Sequence, residues 1–334
     1  MHEVVRIRYT TDGETSYVDI VGIDVSKSDF HSCLLHGADD ARKVFPNNSK
    51  GYKQLLSWLK TRRCARVHAC MEATGAYWLG LATALYDAGM NVSVVNPSRT
   101  ALFARSQLRR TKTDRVDAQM IAEFCKTQKP QLWSPPAPET LELRGLLSYR
   151  EQLVAQRTAL KQIAGGVHLG NSLRRLHATQ IKALDDGIES IEKSIRNLLR
   201  VHSDMKAKVE KVTTVQGIGF LTAVAIVAKL PVERLRNGKA AAAYVGLSPR
   251  ERQSGTSIKG KPRICKTGNA ELRRDLYMPA LSAIRHNPIL RAFADRLTAR
   301  GKAPRVVIVA VMRKLIVLAF RLLTEPGLSL KASA

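Results

Sequence analysis

The chain has 334 residues, 45% of them hydrophobic, which is long enough for two or three domains with real cores and excludes wholesale disorder. Lysine and arginine number 54 against 28 aspartates and glutamates, a formal net charge of +26. An excess of this size predicts a polyanionic partner, most simply nucleic acid, bound in a salt-sensitive way. No apolar run reaches transmembrane length, so no membrane is expected.

The cysteines indicate a reducing compartment. Five is an odd number and Cys-x-x-Cys spacing is missing, so we expect free thiols rather than disulfides or a zinc site. Cys64 and Cys70 flank His68, but His68 alternates with apolar neighbours, which favours core packing. Residues 1–17 lack an apolar signal core, so we expect a cytoplasmic protein.

The first predicted element is a buried strand that ends on an acid. Residues 18–23 form an apolar, β-branched run, and Asp24 follows it. Burying such an acid is costly without a partner, and acids placed this way are often metal ligands. Taken alone, Asp24 is better interpreted as a surface residue that caps a turn. A second strand is predicted at residues 30–35, closed by a turn at residues 37–40.

The next predicted elements are strands and helices in turn. A short strand at residues 42–45 and an amphipathic helix within residues 47–60 precede a strand that ends on Glu72. A helix and a strand at residues 90–97 then follow. The order strand–strand–strand–helix–strand–helix–strand is that of the ribonuclease-H-like fold, a mixed α/β fold with acids at its strand ends.

A basic and then helical segment spans residues 96–126. Asp114 and Asp117 lie three apart and share one helix face, which a solvated helix N-terminus would also explain. Together with Asp24 and Glu72 they form a quartet that can converge. Two Mg²⁺ ions about 3.5–4 Å apart need several carboxylates, so the quartet predicts metal-dependent phosphodiester chemistry. Neighbouring cations are predicted to contact the phosphate backbone: Arg109, Arg110, Lys112 and Arg115.

A proline-rich boundary near residues 130–138 is followed by a long helical region. Leucines and isoleucines at heptad-like spacing predict two coiled-coil arms joined by a turn at residues 165–172. These arms either fold back as an antiparallel hairpin or pair with another subunit. We interpret His202 as a polar register element on the seam of the second arm, which runs to Met205.

The last region holds two candidate phosphate contacts. Gly217-Ile218-Gly219 resembles a helix-hairpin-helix turn, although a simple tight turn has the same pattern. Residues 242–277 surround Ser254 and Ser257 with cations. From composition alone, we interpret this segment as a flexible loop that grips phosphate and whose serines only donate hydrogen bonds. The cations predicted to bind nucleic acid are Lys259, Lys261, Arg263, Lys266 and Arg273. The apolar segment near the end is interrupted by Arg313-Lys314, which predicts a core helix.

Four motifs in chain order carry a resemblance: GIDVSK, MEATGAYW, KTDRVDAQMIA and SGTSIKGKPRICKTGNAELRR. They resemble the insertion-sequence transposases of the IS110 family, RuvC-like recombinases with an acidic DEDD quartet that are guided by a bridge RNA. The resemblance extends from about residue 17 to residue 323. It implies an N-terminal extension (residues 1–17) before a ribonuclease-H/RuvC-like domain (18–135). A helical coiled-coil region (136–212), a mostly helical transposase domain (213–325) and a tail (326–334) would follow.

The resemblance also implies roles. Asp24, Glu72, Asp114 and Asp117 would bind Mg²⁺, and Ser254 would form a transient covalent link to DNA. Ser257, three residues later, leaves the serine assignment open. Donor and target DNA would be chosen by the bridge RNA, and dimers would pair into a tetramer with composite sites. The expected location is the nucleoid of a prokaryotic cytoplasm.

Three other functions compete with this interpretation. A RuvC-like structure-selective nuclease would hydrolyse DNA with metal-activated water and use Ser254 only for binding. A basic nucleic-acid-binding scaffold would need none of the acids for chemistry. An actin-like ATPase is disfavoured because Asp24 is followed by Val25-Ser26 rather than by the glycine of a phosphate loop.

Overall fold

The computed structural model describes residues 19–36, 39–64, 66–75, 77–107, 114–166, 170–254, 258–325 and 327–328. Side-chain placement is not described for residues 39, 114–115, 164–166, 251–254 and 258–262 within these ranges. The chain divides into two compact units, residues 1–135 and 136–334, and each is described by itself.

The first unit is mixed α/β. Its elements are β1 (Asp19–Val25), β2 (Asp29–His36), β3 (Asp39–Pro46), α1 (Ser49–Thr61), β4 (Val67–Glu72), α2 (Trp78–Asp87), β5 (Asn91–Val95), α3 (Pro97–Ser106) and α4 (Asp114–Gln128). The predicted order of strands and helices is confirmed. The predicted turn at residues 37–40 is partly wrong, because Asp39 and Asp40 pair with β2 and belong to β3.

The five strands form one sheet in the order β3-β2-β1-β4-β5. The first three strands are joined by antiparallel pairing, whereas β4 runs parallel to both β1 and β5. One face packs against α1 and α2 through a core that includes Phe30, Leu55 and Leu81. The other face carries α3 and α4, which contribute Phe103, Ile121 and other apolar side chains. The sheet is therefore covered on both sides, as parallel strands require.

The second unit is mostly helical. It contains α5 (Pro138–Gly166), α6 (Asn171–Val201), α7 (Ser203–Thr213), α8 (Phe220–Lys229), a 3₁₀ turn (Val232–Arg234), α9 (Gly238–Tyr244), β6 (Pro249–Ser254), β7 (Ile258–Ile264), α10 (Ala270–Asp275), α11 (Tyr277–His286), α12 (Pro288–Ala299) and α13 (Pro304–Thr324). The centre of this unit is α13, where Val311, Leu315 and Ala319 are fully buried. The prediction of a core helix around Arg313-Lys314 is confirmed. Among the described residues, every helix is too short or too polar to cross a bilayer.

The two longest helices form an antiparallel hairpin within the chain. Arg150 on α5 contacts Glu192 on α6 at 2.7 Å, and Arg157 contacts Asp185 at 2.6 Å. The predicted seam through His202 is wrong. His202 has non-helical dihedrals (φ −104°, ψ 85°), so α6 ends at Val201 and α7 begins directly afterwards.

Two strands flank the predicted loop at Ser254. Pro249–Ser254 and Ile258–Ile264 pair as an antiparallel hairpin, with Ser254 opposite Ile258. The segments on either side of the predicted Ser-Gly loop are therefore strands, and residues 255–257 of the loop itself lie outside the described residues. Ser257 lies outside the described residues.

Gly217 has a packing role. Its φ is +106°, and a Cβ added there would lie 2.6 Å from Cβ of Ala283 on α11. A glycine is therefore required for the turn and for close helix packing, whether or not the turn contacts phosphate. Gly219, two residues later, has a Cβ position with nothing within 4 Å.

This difference predicts contrasting effects of two alanine substitutions. We expect Gly217→Ala to lower the free energy of unfolding by about 2–4 kcal/mol, because backbone strain and overpacking add. Gly219→Ala is the matched control and should cost less than about 1 kcal/mol, because it meets no neighbour. Chemical denaturation of both variants measures the contrast, and equal stabilities would contradict the packing role of Gly217.

Candidate active site

The two strand-end acids lie side by side on the sheet. In the parallel pairing of β1 with β4, Gly22 is opposite Cys70 and Ile23 is opposite Met71. Asp24 and Glu72 occupy the next position on each strand. Because side chains alternate between faces and neighbouring strands lie about 4.8 Å apart, both acids are adjacent on the face that carries α4. Both are half-buried.

Helix α4 crosses this face at Gly22. A Cβ added to Gly22 would lie 2.2 Å from the carbonyl oxygen of Ala118 and 2.3 Å from the amide nitrogen of Ala122. A glycine inside a strand often marks such a close backbone approach. The helix can rest directly on β1 only because its contact residues are alanines and the strand residue has no side chain.

The helix runs so that its N-terminal end lies over the acids. Sγ of Cys125 lies 3.5 Å from Nδ1 of His68, which is at the start of β4. The opposite end of α4 therefore points toward the carboxyl ends of β1 and β4. Asp114 precedes Ala118 by four residues, about 6 Å of helix, and Asp24 follows Gly22 by two residues, about 6.6 Å of strand.

Asp117 lies on the side of α4 that faces β4. Four residues after it, Ile121 packs with Cys70 and Val95 in the small core beneath α4. Residues four apart share a helix face, so Asp117 is directed toward the strand that ends on Glu72. The fold thus brings the positions of all four predicted acids to one end of the sheet. Asp117 is half-buried, and Asp114 is placed by its backbone alone.

A buried threonine holds Glu72. Thr100 on α3 is 3% exposed, and its hydroxyl lies within hydrogen-bonding distance of Oε1 of Glu72 and 2.9 Å from the carbonyl oxygen of Pro97. The helix that carries it is capped by Asn96, whose Oδ1 accepts a hydrogen bond from the amide of Ser98 at 2.8 Å. Thr100 therefore restricts the orientation of the Glu72 carboxylate. No sequence pattern indicates this contact.

Asn47 links the loops that leave both acids. Its Nδ2 donates to the carbonyl oxygen of Ser26 at 2.8 Å and to that of Tyr77 at 3.2 Å. Its Oδ1 accepts a hydrogen bond from the hydroxyl of Tyr52 at 2.9 Å. Ser26 follows Asp24 by two residues, so this amide fixes the backbone beside the acid pair.

A buried polar cluster anchors the far end of α4. Nε2 of His68 lies 2.8 Å from Oγ of Ser93, which also lies 3.0 Å from the carbonyl oxygen of Gln131. Hydrogen bonding to Cys125, together with burial, raises the pKa of Cys70, so this thiol stays protonated. The prediction that His68 packs in the core is confirmed, since it is 9% exposed.

The predicted cations near the acids are only partly described. Arg109, Arg110 and Lys112 lie outside the described residues, and Arg115 is placed by its backbone in α4. Arg99, on the exposed side of α3, lies over the ring of Phe124 at 5.2 Å.

In the second unit, the predicted residues cluster on and after the β6–β7 hairpin. Arg263 and Lys266 are exposed, whereas Ser254, Lys259 and Lys261 are placed by their backbone alone. Arg273 has a structural contact. Its Nη1 donates to the carbonyl oxygens of Val245 at 2.9 Å and of Lys266 at 3.2 Å, which braces the segment after the hairpin.

Helix α10, which follows the hairpin, is held by a buried lysine. Nζ of Lys229 lies 2.9 Å from Glu151, 3.2 Å from Glu271 and 3.3 Å from Asp275. Burial opposes its charge, but the three carboxylates outweigh burial and raise the pKa of Lys229, so the cation persists. Sequence patterns missed this network because its members lie far apart along the chain.

Two family models match this chain. A model described as a transposase, of the DEDD IS110 type, matches residues 21–165, and a model of the transposase IS116/IS110/IS902 family matches residues 209–295. The first range contains all four predicted acids, and the second contains Ser254.

Several proteins are similar over most of their length. The pilin gene-inverting protein of Moraxella lacunata is 30% identical over 313 residues, 91% of this chain and 95% of that protein. The transposase for insertion sequence element IS1111A of Coxiella burnetii is 24% identical and covers 80% of this chain and 79% of its own. Thermus thermophilus RuvC, solved with a Holliday junction substrate, aligns with 35% of this chain and 100% of its own at 11% identity. Its TM-score of 0.28 is too low to establish a common fold.

The contact between α4 and β1 predicts a sharp effect of one methyl group. We expect Gly22→Ala to lower the free energy of unfolding by at least about 2 kcal/mol, because the backbone of α4 must move away. Gly145→Ala, on an exposed face of α5 with nothing within 4 Å of the added Cβ, is the control. It should stabilise by about 0.5–1 kcal/mol through helix propensity. Hydrogen exchange should show faster opening of residues 114–128 in Gly22→Ala only, and unchanged exchange there would contradict the placement of α4.

Proposed function

The chain belongs to the IS110 family of transposases, and from this we propose that it cleaves and rejoins DNA strands at a site formed by Asp24, Glu72, Asp114 and Asp117. The single observation that supports this most is the register that sets Asp24 beside Glu72 beneath the N-terminal end of α4. One relative is named for inverting a pilin gene and another for an insertion sequence, and both names describe rearranged DNA. The order of strands and helices supports a ribonuclease-H/RuvC-like domain at residues 18–135.

The donor set fits Mg²⁺. All four proposed ligands offer carboxylate oxygens, the hard donors that Mg²⁺ prefers, and no thiol or imidazole belongs to the set. Bound Mg²⁺ would activate the attacking oxygen and stabilise the leaving oxygen of a phosphodiester. The chain's own contribution is to hold the carboxylates in place. Thr100 orients Glu72, and Asn47 fixes the loops beside both strand ends.

We assign the nucleophile to Ser254. Its hydroxyl oxygen would form a bond to the phosphorus of the DNA backbone while the phosphorus–oxygen bond to the leaving strand breaks. The proton of the hydroxyl would pass to the departing oxygen, directly or through solvent. The hairpin that carries Ser254 is rich in cations, which would stabilise the extra negative charge on the phosphate as bonds form and break. Ser257 is the alternative nucleophile.

The proposed transposase function also implies nucleic-acid and subunit partners. A bridge RNA would select donor and target DNA by base pairing, so the protein would need mainly backbone contacts, which suits a net charge of +26. The proposed nucleic-acid contacts are Arg109, Arg110, Lys112, Arg115, Lys259, Lys261, Arg263, Lys266 and Arg273. The α5–α6 hairpin would act as a coiled coil joining dimers into a tetramer. Each site would then combine acids and Ser254 from different subunits.

The competing function is hydrolysis by a RuvC-like nuclease. The first unit carries all four acids, which would suffice for hydrolysis without a serine nucleophile. Only the serine mechanism forms a covalent intermediate between protein and DNA.

Substitution of the serine separates them. We expect Ser254→Ala to lose both strand exchange and the protein–DNA adduct that survives denaturant, because the attacking oxygen is gone. Ser257→Ala and the surface variant Ser194→Ala should retain the adduct. Asp24→Asn should lose cleavage altogether while DNA binding persists. Strand exchange by Ser254→Ala would refute the serine mechanism, and full cleavage by Asp24→Asn would refute the acidic site as well.

Removing the threonine hydroxyl tests the support of Glu72. We expect Thr100→Val to raise the Mg²⁺ concentration needed for half-maximal cleavage by about 10–100-fold, because a carboxylate ligand loses its orienting partner. Thr83→Val is a matched control, since the Thr83 hydroxyl bonds the carbonyl oxygen of Leu79 within α2. An unchanged Mg²⁺ requirement in Thr100→Val would show that this hydrogen bond does not support the site.

A further inference from the structure

A second group of potential metal ligands lies at the other end of β1. Asp19 begins β1, His36 ends β2, and Cys64 lies between α1 and β4. Oδ1 of Asp19 is 2.7 Å from Nδ1 of His36, and Sγ of Cys64 is 3.9 Å from the same nitrogen. All three ligand atoms lie within 4.8 Å of one another.

Backbone pairing fixes these side chains from both sides. Ile20 pairs with Leu35 across β1 and β2, which sets Asp19 opposite His36. On the other side, the amide of Asp19 donates to the carbonyl oxygen of Arg66 at 2.9 Å, just after Cys64 in the chain. Three separate segments thus converge where the sheet begins.

Contrary to the expectation from cysteine spacing, we propose that Asp19, His36 and Cys64 bind a Zn²⁺ ion. Imidazole nitrogen, thiolate sulfur and carboxylate oxygen are the donors that Zn²⁺ takes in proteins, usually in a tetrahedron. Such bond lengths place ligand atoms roughly 3.3–3.6 Å apart, so the Asp19–His36 contact needs only a small opening. The side chain of His36 is 48% exposed, which leaves the fourth position to water.

The proton balance of binding is simple. Cys64 binds as thiolate and its proton leaves to solvent. Any proton that His36 shares with Asp19 is likewise displaced, because Nδ1 must use its lone pair for the metal. No oxidant or second reactant is required.

The site differs in chemistry and place from the acidic quartet. Mg²⁺ prefers oxygen ligands, so the mixed donor set selects against it. Asp19 precedes Asp24 by five residues, about 16 Å along the strand. An ion here would clamp the start of β1, the end of β2 and the approach to β4, and so would support the strands that carry Asp24 and Glu72.

The simpler explanation is an ion pair between Asp19 and His36 that binds no metal. It accounts for the 2.7 Å contact, and the Cys64 thiol then only donates to the carbonyl oxygen of Arg62, which lies 3.9 Å from Sγ. The two explanations differ in whether sulfur takes part.

Metal titration of the full-length, chelator-treated protein tests this. We expect one equivalent of Zn²⁺ to bind in competition with a chromophoric chelator, in the presence of excess Mg²⁺. Bound Co²⁺ should show thiolate-to-cobalt charge-transfer absorption. Cys64→Ser should abolish that absorption, and Cys64→Ser and His36→Ala should each weaken Zn²⁺ binding at least tenfold. Cys265→Ser and His286→Ala, a half-exposed thiol and a helix-terminal histidine of the second unit, are the controls.

Three results would overturn the proposal. The first is a Co²⁺ spectrum of the unsubstituted protein without thiolate absorption, which requires no variant to fold. The second is Zn²⁺ affinity that is unchanged in both Cys64→Ser and His36→Ala. Loss of binding in the Cys265→Ser control instead would place the ion elsewhere and equally refute this site.

Discussion

The first unit depends on the contact between α4 and β1 at Gly22. A helix normally rests on a sheet at a distance set by side chains, but here the helix backbone touches the strand, since any Cβ would overlap Ala118 and Ala122. The contact fixes both the height and the position of α4 along the strand. Asp114 and Asp117, which precede Ala118 by four residues and by one, are thereby carried to the end of the sheet where Asp24 and Glu72 already lie. Close packing at one position thus determines where four charges meet.

Grouping carboxylates is unfavourable unless something offsets their repulsion and desolvation. The hydroxyl of Thr100 offsets part of this cost by donating to Glu72. The Asn47 amide contacts neither acid but ties together the loops that leave both strands. The chain as a whole carries a net charge of +26, which further favours a group of acids. A bound divalent cation would supply the rest, and the same cation is what the proposed chemistry requires.

The sequence predicted features that depend on local pattern. The strands, the helices and the positions of Asp24 and Glu72 at strand ends followed from periodicity and turn residues. Contacts that join distant segments could not be predicted, because no spacing rule connects Thr100 with Glu72, or Asp19 with His36 and Cys64. Composition did not indicate the strands on either side of Ser254, because charge does not reveal strand pairing. Apolar spacing did not indicate the helix end at His202, because that spacing continues past it.

The central claim is that the acids under α4 and the serine of the second unit act on one phosphate. The most direct measurement is a structure of the assembled protein with DNA, its RNA and Mn²⁺, in which the anomalous signal locates the metal. We expect the metal between Asp24 and Glu72, with Asp117 and Asp114 at its other side, and Ser254 of some subunit facing the same phosphate. A metal bound elsewhere, or a Ser254 that no subunit can bring to that phosphate, would contradict the account.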